Sequence, residues 1–204
     1  MAKKRKKKSS PPQLMSPKRY VKEKGRTLPM GPCFSSLATY DEIMDGGLAQ
    51  LVVTRAKPSG KYLVGIYLVD VWCLGVKTTF FRPNFDQNEL NELLAHIANP
   101  EDHGTYEVKY EWAHHLIYGS INYAESLGIS PDRDFGLSRY ILEPEAAVEE
   151  VYNFQFGKDG KPFLVVGPYD DGPRLISTLT RTVGAGNFDY IAPIGPPTLD
   201  EDFF

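Results

Sequence analysis

The run LAQLVVTRA at Leu48–Ala56, the punctuation KPSG at Lys57–Gly60 and the run KYLVGIYLVD at Lys61–Asp70 decide the fold. Both runs are rich in β-branched and aromatic residues. Pro58-Ser59-Gly60 between them is turn chemistry, so together they predict a β-hairpin. The chain continues as VWCLGVKTTFF over residues 71–81, which reads as the strand carried past a bend or as a third strand. Gly75 within it marks a bulge or a close backbone approach.

Upstream of the hairpin, Cys33–Leu37 reads as a strand and the acidic stretch Asp41–Gly47 as a loop. Downstream, Pro83 ends the strand region. Asp86 then caps a helix through Ile97, with Leu90, Leu93, Leu94 and Ile97 on one face. A longer helix is predicted from about Tyr106 to Leu127, closed by Gly128, and a shorter one from Ser130-Pro131 to about Leu142. The runs Val151–Phe156 and Pro162–Val166 flank Gly157-Lys158-Asp159-Gly160 and read as a second hairpin. A helix over Arg174–Val183 and a last strand over Phe188–Ile191 follow. Hairpins interspersed with helices predict an α+β protein: a mostly antiparallel sheet built from hairpins, with helices packed on one face.

The 204 residues are 42% hydrophobic, with 12 Tyr and 11 Phe, enough apolar area for one ordinary core. The net charge of −3 conceals an asymmetry. Residues 1–26 carry 11 Lys/Arg against Glu23 alone, a net of +10; the remainder carries 12 basic and 25 acidic residues, a net of −13. The expected organisation is a disordered basic arm over residues 1–27 with a short helix at Lys18–Lys24, which Ser16-Pro17 opens as N-cap and first-turn proline, one α+β domain over 28–191, and an acidic, Pro-rich tail over 192–204. No apolar run is long enough to cross a bilayer, no apolar segment follows the N-terminal charges, and two cysteines make no disulfide framework. A cytoplasmic setting without membrane contact is expected.

Blocks along the chain resemble a family of uncharacterised bacterial proteins. They are Leu68-Val69-Asp70-Val71-Trp72-Cys73-Leu74-Gly75-Val76-Lys77, Tyr118-Gly119-Ser120-Ile121-Asn122-Tyr123-Ala124-Glu125-Ser126-Leu127-Gly128 and Gly167-Pro168-Tyr169-Asp170-Asp171. The likeness spans roughly residues 16–191 and departs from the family at Thr78, where an acidic residue is expected. It implies a bacterial cytosolic setting and a shared fold, and it brings no activity, cofactor or site residue.

Two constellations carry chemistry. Lys3, Lys4, Arg5, Lys6, Lys7 and Lys8, with Lys18 and Arg19 beyond them, can displace counterions from a nucleic-acid backbone, which makes RNA, DNA or a ribosome the expected partner of the arm. The acidic body is then expected to meet protein. The competing reading is a cysteine-dependent enzyme, in which Cys73 is a nucleophile beside Lys77 with His114 or His115 as base. Against it, strand rise would hold Cys73 and Lys77 about 13 Å apart, and a free cysteine is more often core. Glu111 and His114 have a Glu-x-x-His spacing, but only His96 and His103 remain as further histidines, so no metal site and no cofactor are expected. Asp170-Asp171, ahead of Pro173, reads as a turn in which one aspartate caps the following helix, with a cation or substrate contact as the competing reading. The leading expectation is a non-enzymatic protein.

Overall fold

The computed structural model describes residues 15–98, 104–149 and 152–192. Lys3–Lys8, His103, Val151 and nearly all of the acidic tail lie outside the described residues.

The predicted hairpin is the centre of the molecule. Strands β2 (Leu48–Ala56) and β3 (Tyr62–Asp70) pair antiparallel in unbroken register from Leu48↔Asp70 to Ala56↔Tyr62. Their turn is closed by Lys57 N donating to Lys61 O at 2.8 Å. The chain does turn again after β3. Asp70 accepts from the backbone N–H groups of Trp72 and Cys73, each at 2.9 Å, and so folds Val71–Leu74 into a tight turn that returns as β4 (Gly75–Phe85). Gly75 holds φ +67°, and a Cβ there would lie 2.8 Å from Ser120 O, so the close approach is real. The register steps from Leu68↔Thr78 to Val69↔Val76, which leaves Lys77 as the bulged residue.

Strands β1 (Met30–Ser35) and β5 (Tyr106–Val108) complete an antiparallel sheet of order β4-β3-β2-β1-β5. Pro83 does not end β4. This is an edge strand, where a residue without an N–H leaves no ladder bond broken.

The helices are α1 (Pro17–Lys24), α2 (Tyr40–Gly46), α3 (Gln87–Ile97), α4 (Tyr110–Ser126), α5 (Phe135–Ser138) and α6 (Gly172–Thr182). The α+β class with a largely antiparallel sheet is therefore the observed architecture. Side-chain alternation along the strands sorts the core. Leu51, Val53, Leu63 and Tyr67 face α4, α5 and α1. Val52, Val64 and Ile66 face α3 through Leu90 and Ile97. A third cluster gathers Cys73, Leu74, Ala124, Leu164, Leu179 and Phe188 at the end of the sheet under α6. No helix among the described residues is long and apolar enough to cross a membrane.

Further local expectations are corrected. Asp41–Gly47 is mostly helix rather than loop: Thr39 accepts from Glu42 N at 3.2 Å, Glu42 Oε2 accepts from Ala38 N at 2.9 Å, and Gly47 closes the turn at φ +77°. Residues 106–108 pair with β1 before α4 begins at Tyr110. Between Ser130 and Leu142 only Phe135–Ser138 is helical, because the carbonyls of Arg139, Ile141 and Leu142 accept from the guanidinium groups of Arg26 and Arg55.

The second hairpin does not form. Its turn exists, with Lys158 N donating to Lys161 O at 2.8 Å, but residues 152–156 lay their aromatic rings along α4 instead of pairing. Strand β6 (Phe163–Val165) pairs in parallel with β7 (Asp189–Ile191), with α6 as the crossover.

Helix α1 belongs to the body. Val21 is fully buried in the main core, and Gly25 sits so close to Tyr140 O that a Cβ would lie 2.3 Å away. The packed structure thus begins ahead of Leu28.

Candidate nucleic-acid interface

Helix α1 starts where the sequence places it, with Ser16 accepting from Arg19 N at 3.4 Å and Pro17 at the first helical position. With Val21 inward, Lys18, Arg19, Lys22 and Lys24 are left on the exposed surface. Arg19 is held by Glu23 in an exposed i,i+4 pair at 2.7 Å. Lys18, Lys22 and Lys24 have no ion pair among the described residues.

The free edge of β4 brings further cations and rings to this helix. Lys57 donates to Pro83 O at 3.0 Å and to the Asn84 side chain, and its ammonium stands 4.6 Å above the centre of the Tyr20 ring. Arg82 lies 5.3 Å from the centre of the Phe80 ring, and Phe80 is 39% exposed, unusual for so large an apolar side chain. Between α1, β4 and α5 runs a largely apolar groove of about 620 Å³. Lys18, Phe80, Phe81, Arg82 and Leu137 line it, Phe81 from the core side of β4 and Phe80 and Arg82 from the side of Ile66 and Val64, and Asp134 is its one carboxylate among the described residues. Rings flanked by cations at the point where the chain emerges from residues 1–14 suit a phosphate backbone with bases against apolar faces.

The catalytic candidates are not assembled. Cys73 is fully buried and its thiol is pushed up to about 12, first by burial and then by the nearby Asp70 carboxylate. That is the opposite of an activated thiolate. Cys33 is likewise buried and pushed up to about 11, chiefly by burial. Lys77 does not face Cys73 as an ion-pair partner; its ammonium donates to Asp170 Oδ2 at 2.6 Å.

His114 is fully buried beside Tyr110 and Tyr118, its Nε2 3.2 Å from Glu143 O, and burial lowers its pKa. His115 lines a different cleft, which neither Cys73 nor Lys77 reaches. Glu111 and His114 acquire no companion ligands: no group of three or more His, Cys, Asp or Glu is placed to hold a metal among the described residues. Asp171 caps α6 by accepting from Arg174 N at 3.2 Å, and Asp170 holds Gly167 N at 2.8 Å.

Sequence reasoning reached Lys18 and Arg19 through composition but missed Phe80, Arg82, Lys57 and Tyr20. The alternation Phe80-x-Arg82 before Pro83 was the available signal, and it acquires meaning only once β4 is known to be an edge. Comparison with protein-family models, curated proteins and solved structures returns no match.

Proposed function

We propose that this is a non-enzymatic nucleic-acid-binding protein, in which Lys3–Lys8 and the α1–β4 face hold one strand together. The observation that carries this reading is the groove at the β4 edge that Lys18, Phe80, Phe81 and Arg82 line together beside the first turn of α1, with Phe80 39% exposed. In this reading Lys3–Lys8, Lys18 and Arg19 neutralise phosphates, and Phe80 offers a face on which a base stacks, without selecting sequence. Single-stranded RNA or DNA, free or within a ribonucleoprotein, is the matching partner. The acidic surface elsewhere, including Asp41, Glu42 and Asp45 of α2, repels the strand from other faces and is left for protein contact.

Mobility-shift titration of a short unstructured RNA tests this with four forms: the full chain, the chain lacking residues 1–14, Arg82→Ala and Phe80→Ala. Removing residues 1–26 would be the wrong truncation, since it takes Val21 and Arg26 out of the body. The full chain is expected to bind. The truncation and Arg82→Ala weaken binding through charge, and Phe80→Ala weakens it by about 1–3 kcal/mol, the stacking contribution of one base. Absence of binding by the full chain at low salt, or equal binding by all four forms, overturns the proposal.

A further inference from the structure

On α4, His115, Gly119 and Asn122 recur at the i, i+4, i+7 spacing of one helical stripe, away from the apolar stripe of Ala113, Ile117, Ser120 and Ala124 that enters the core. Such an outer stripe usually meets water. Here residues 145–149 and 152–156 cover it, and Tyr152, Phe154 and Phe156 fall at period two, so all three rings reach the helix. Gly119 is what admits Phe156: a Cβ there would stand 2.7 Å from its ring. The rings also pack on one another, Tyr152 and Phe154 stacking at 5.8 Å and 4°. Helix and segment enclose a half-open cleft of about 520 Å³, within the range of small-molecule sites.

The polar groups in this cleft define what fits it. Both ring nitrogens of His115 are buried without a hydrogen-bond partner, whereas neighbouring His114 uses Nε2 on Glu143 O. A neutral imidazole left this way lacks one acceptor and one donor. The ring of Tyr152 meets that of His115 edge to face at 5.9 Å, so an occupant reaches the imidazole by taking the place of this contact. Asn122 Nδ2 donates to Glu145 Oε1 at 2.5 Å, which orients the carboxylate at the cleft and leaves its second oxygen as an acceptor. Among the described residues neither Lys nor Arg lines the cleft, and Glu145 is its only formal charge. An anionic ligand is therefore disfavoured, a quaternary ammonium leaves His115 unsatisfied, and aliphatic ligands forgo the stacking walls.

We infer that the cleft between α4 and residues 145–149 and 152–156 binds a flat, neutral or protonated nitrogen heterocycle of the nucleobase or nucleoside class, which stacks on the aromatic wall and supplies a donor and an acceptor to His115. This site is separate from the α1–β4 face and does not depend on it. The cleft takes the heterocycle without phosphate, because Glu145 faces it.

Saturation-transfer NMR and calorimetry on the full chain test this with adenosine, cytidine, their 5′-monophosphates and choline. Saturable binding of at least one nucleoside is expected, with the matching monophosphate at least tenfold weaker. His115→Phe, which keeps the ring stack and removes both nitrogens, lowers nucleoside affinity tenfold or more. Glu145→Gln narrows the gap between nucleoside and monophosphate, and thermal unfolding of each variant verifies that it is folded. The inference is overturned by no saturable nucleoside binding, by affinity unchanged in folded His115→Phe, by the monophosphate binding more tightly than the nucleoside, or by choline occupying the cleft in preference.

Discussion

Asp70 shows how one side chain sets a turn at an electrostatic cost. Its carboxylate is buried, and burial pushes it up to about 6 despite the N–H groups of Trp72, Cys73 and Leu74 that favour the charged form. A carboxyl with a folded pKa above its unfolded value binds protons more readily in the native state. Its contribution is therefore fully present below about pH 4 and is lost as pH rises through about 6. Asp70→Asn keeps an oxygen for the same N–H groups and removes the charge. Chemical denaturation of both proteins at pH 4 and pH 7 should show the wild type losing roughly 2 kcal/mol relative to the variant over that interval. A second expectation concerns the thiols: Cys33 and Cys73 should resist iodoacetamide in the native protein at pH 8 and both react in denaturant, as read by intact mass. Fast native alkylation of Cys73 would restore the nucleophile reading. The sequence showed Cys73 between Trp72 and Leu74, a core-like setting, yet it could not show that Lys77 bulges out of register toward Asp170 rather than toward the thiol.

At the scale of elements, punctuation was legible and partnership was not. Ser16, Asp86 and Asp171 cap helices as their spacing announces, and Lys57–Gly60 turns the main hairpin. Tyr152, Phe154 and Phe156 alternate like a strand, and the packing of Phe156 against α4 depends on Gly119, a contact between distant segments. The same nonlocality governs residues 139–143, which are held by Arg55. Its guanidinium, nearly fully buried, donates to Ile141 O at 2.7 Å, Leu28 O at 3.0 Å and Glu143 Oε1 at 2.8 Å. Arg55→Ala strands these acceptors and should cost about 3–5 kcal/mol in a denaturation experiment. Gly75→Ala puts a side chain at φ +67° against Ser120 O and should cost about 2 kcal/mol or more by the same measurement. If either variant matches the wild type, the contact does not anchor its element.

For the whole molecule, the segregation of +10 and −13 was plain in the sequence, but the boundary it suggested falls in the wrong place. Helix α1 carries part of the positive charge into the packed body, where Lys57 and Arg82 extend it along the β4 edge beside Tyr20 and Phe80. Composition reveals charge; which strand lies at an edge, and hence which ring stays open, follows only from the assembled sheet. The central claim is that this face and Lys3–Lys8 act together on a phosphate backbone. Fluorescence anisotropy of a labelled single-stranded oligonucleotide across a salt series measures it directly. Log affinity is expected to fall linearly with log salt with a slope of about −6 for the full chain, the effect of Lys3–Lys8, Lys18 and Arg19 on a single strand. Removing residues 1–14 should flatten it by roughly four, the effect of six fewer phosphate contacts on a single strand. A slope near zero, or one unchanged by that truncation, would contradict it.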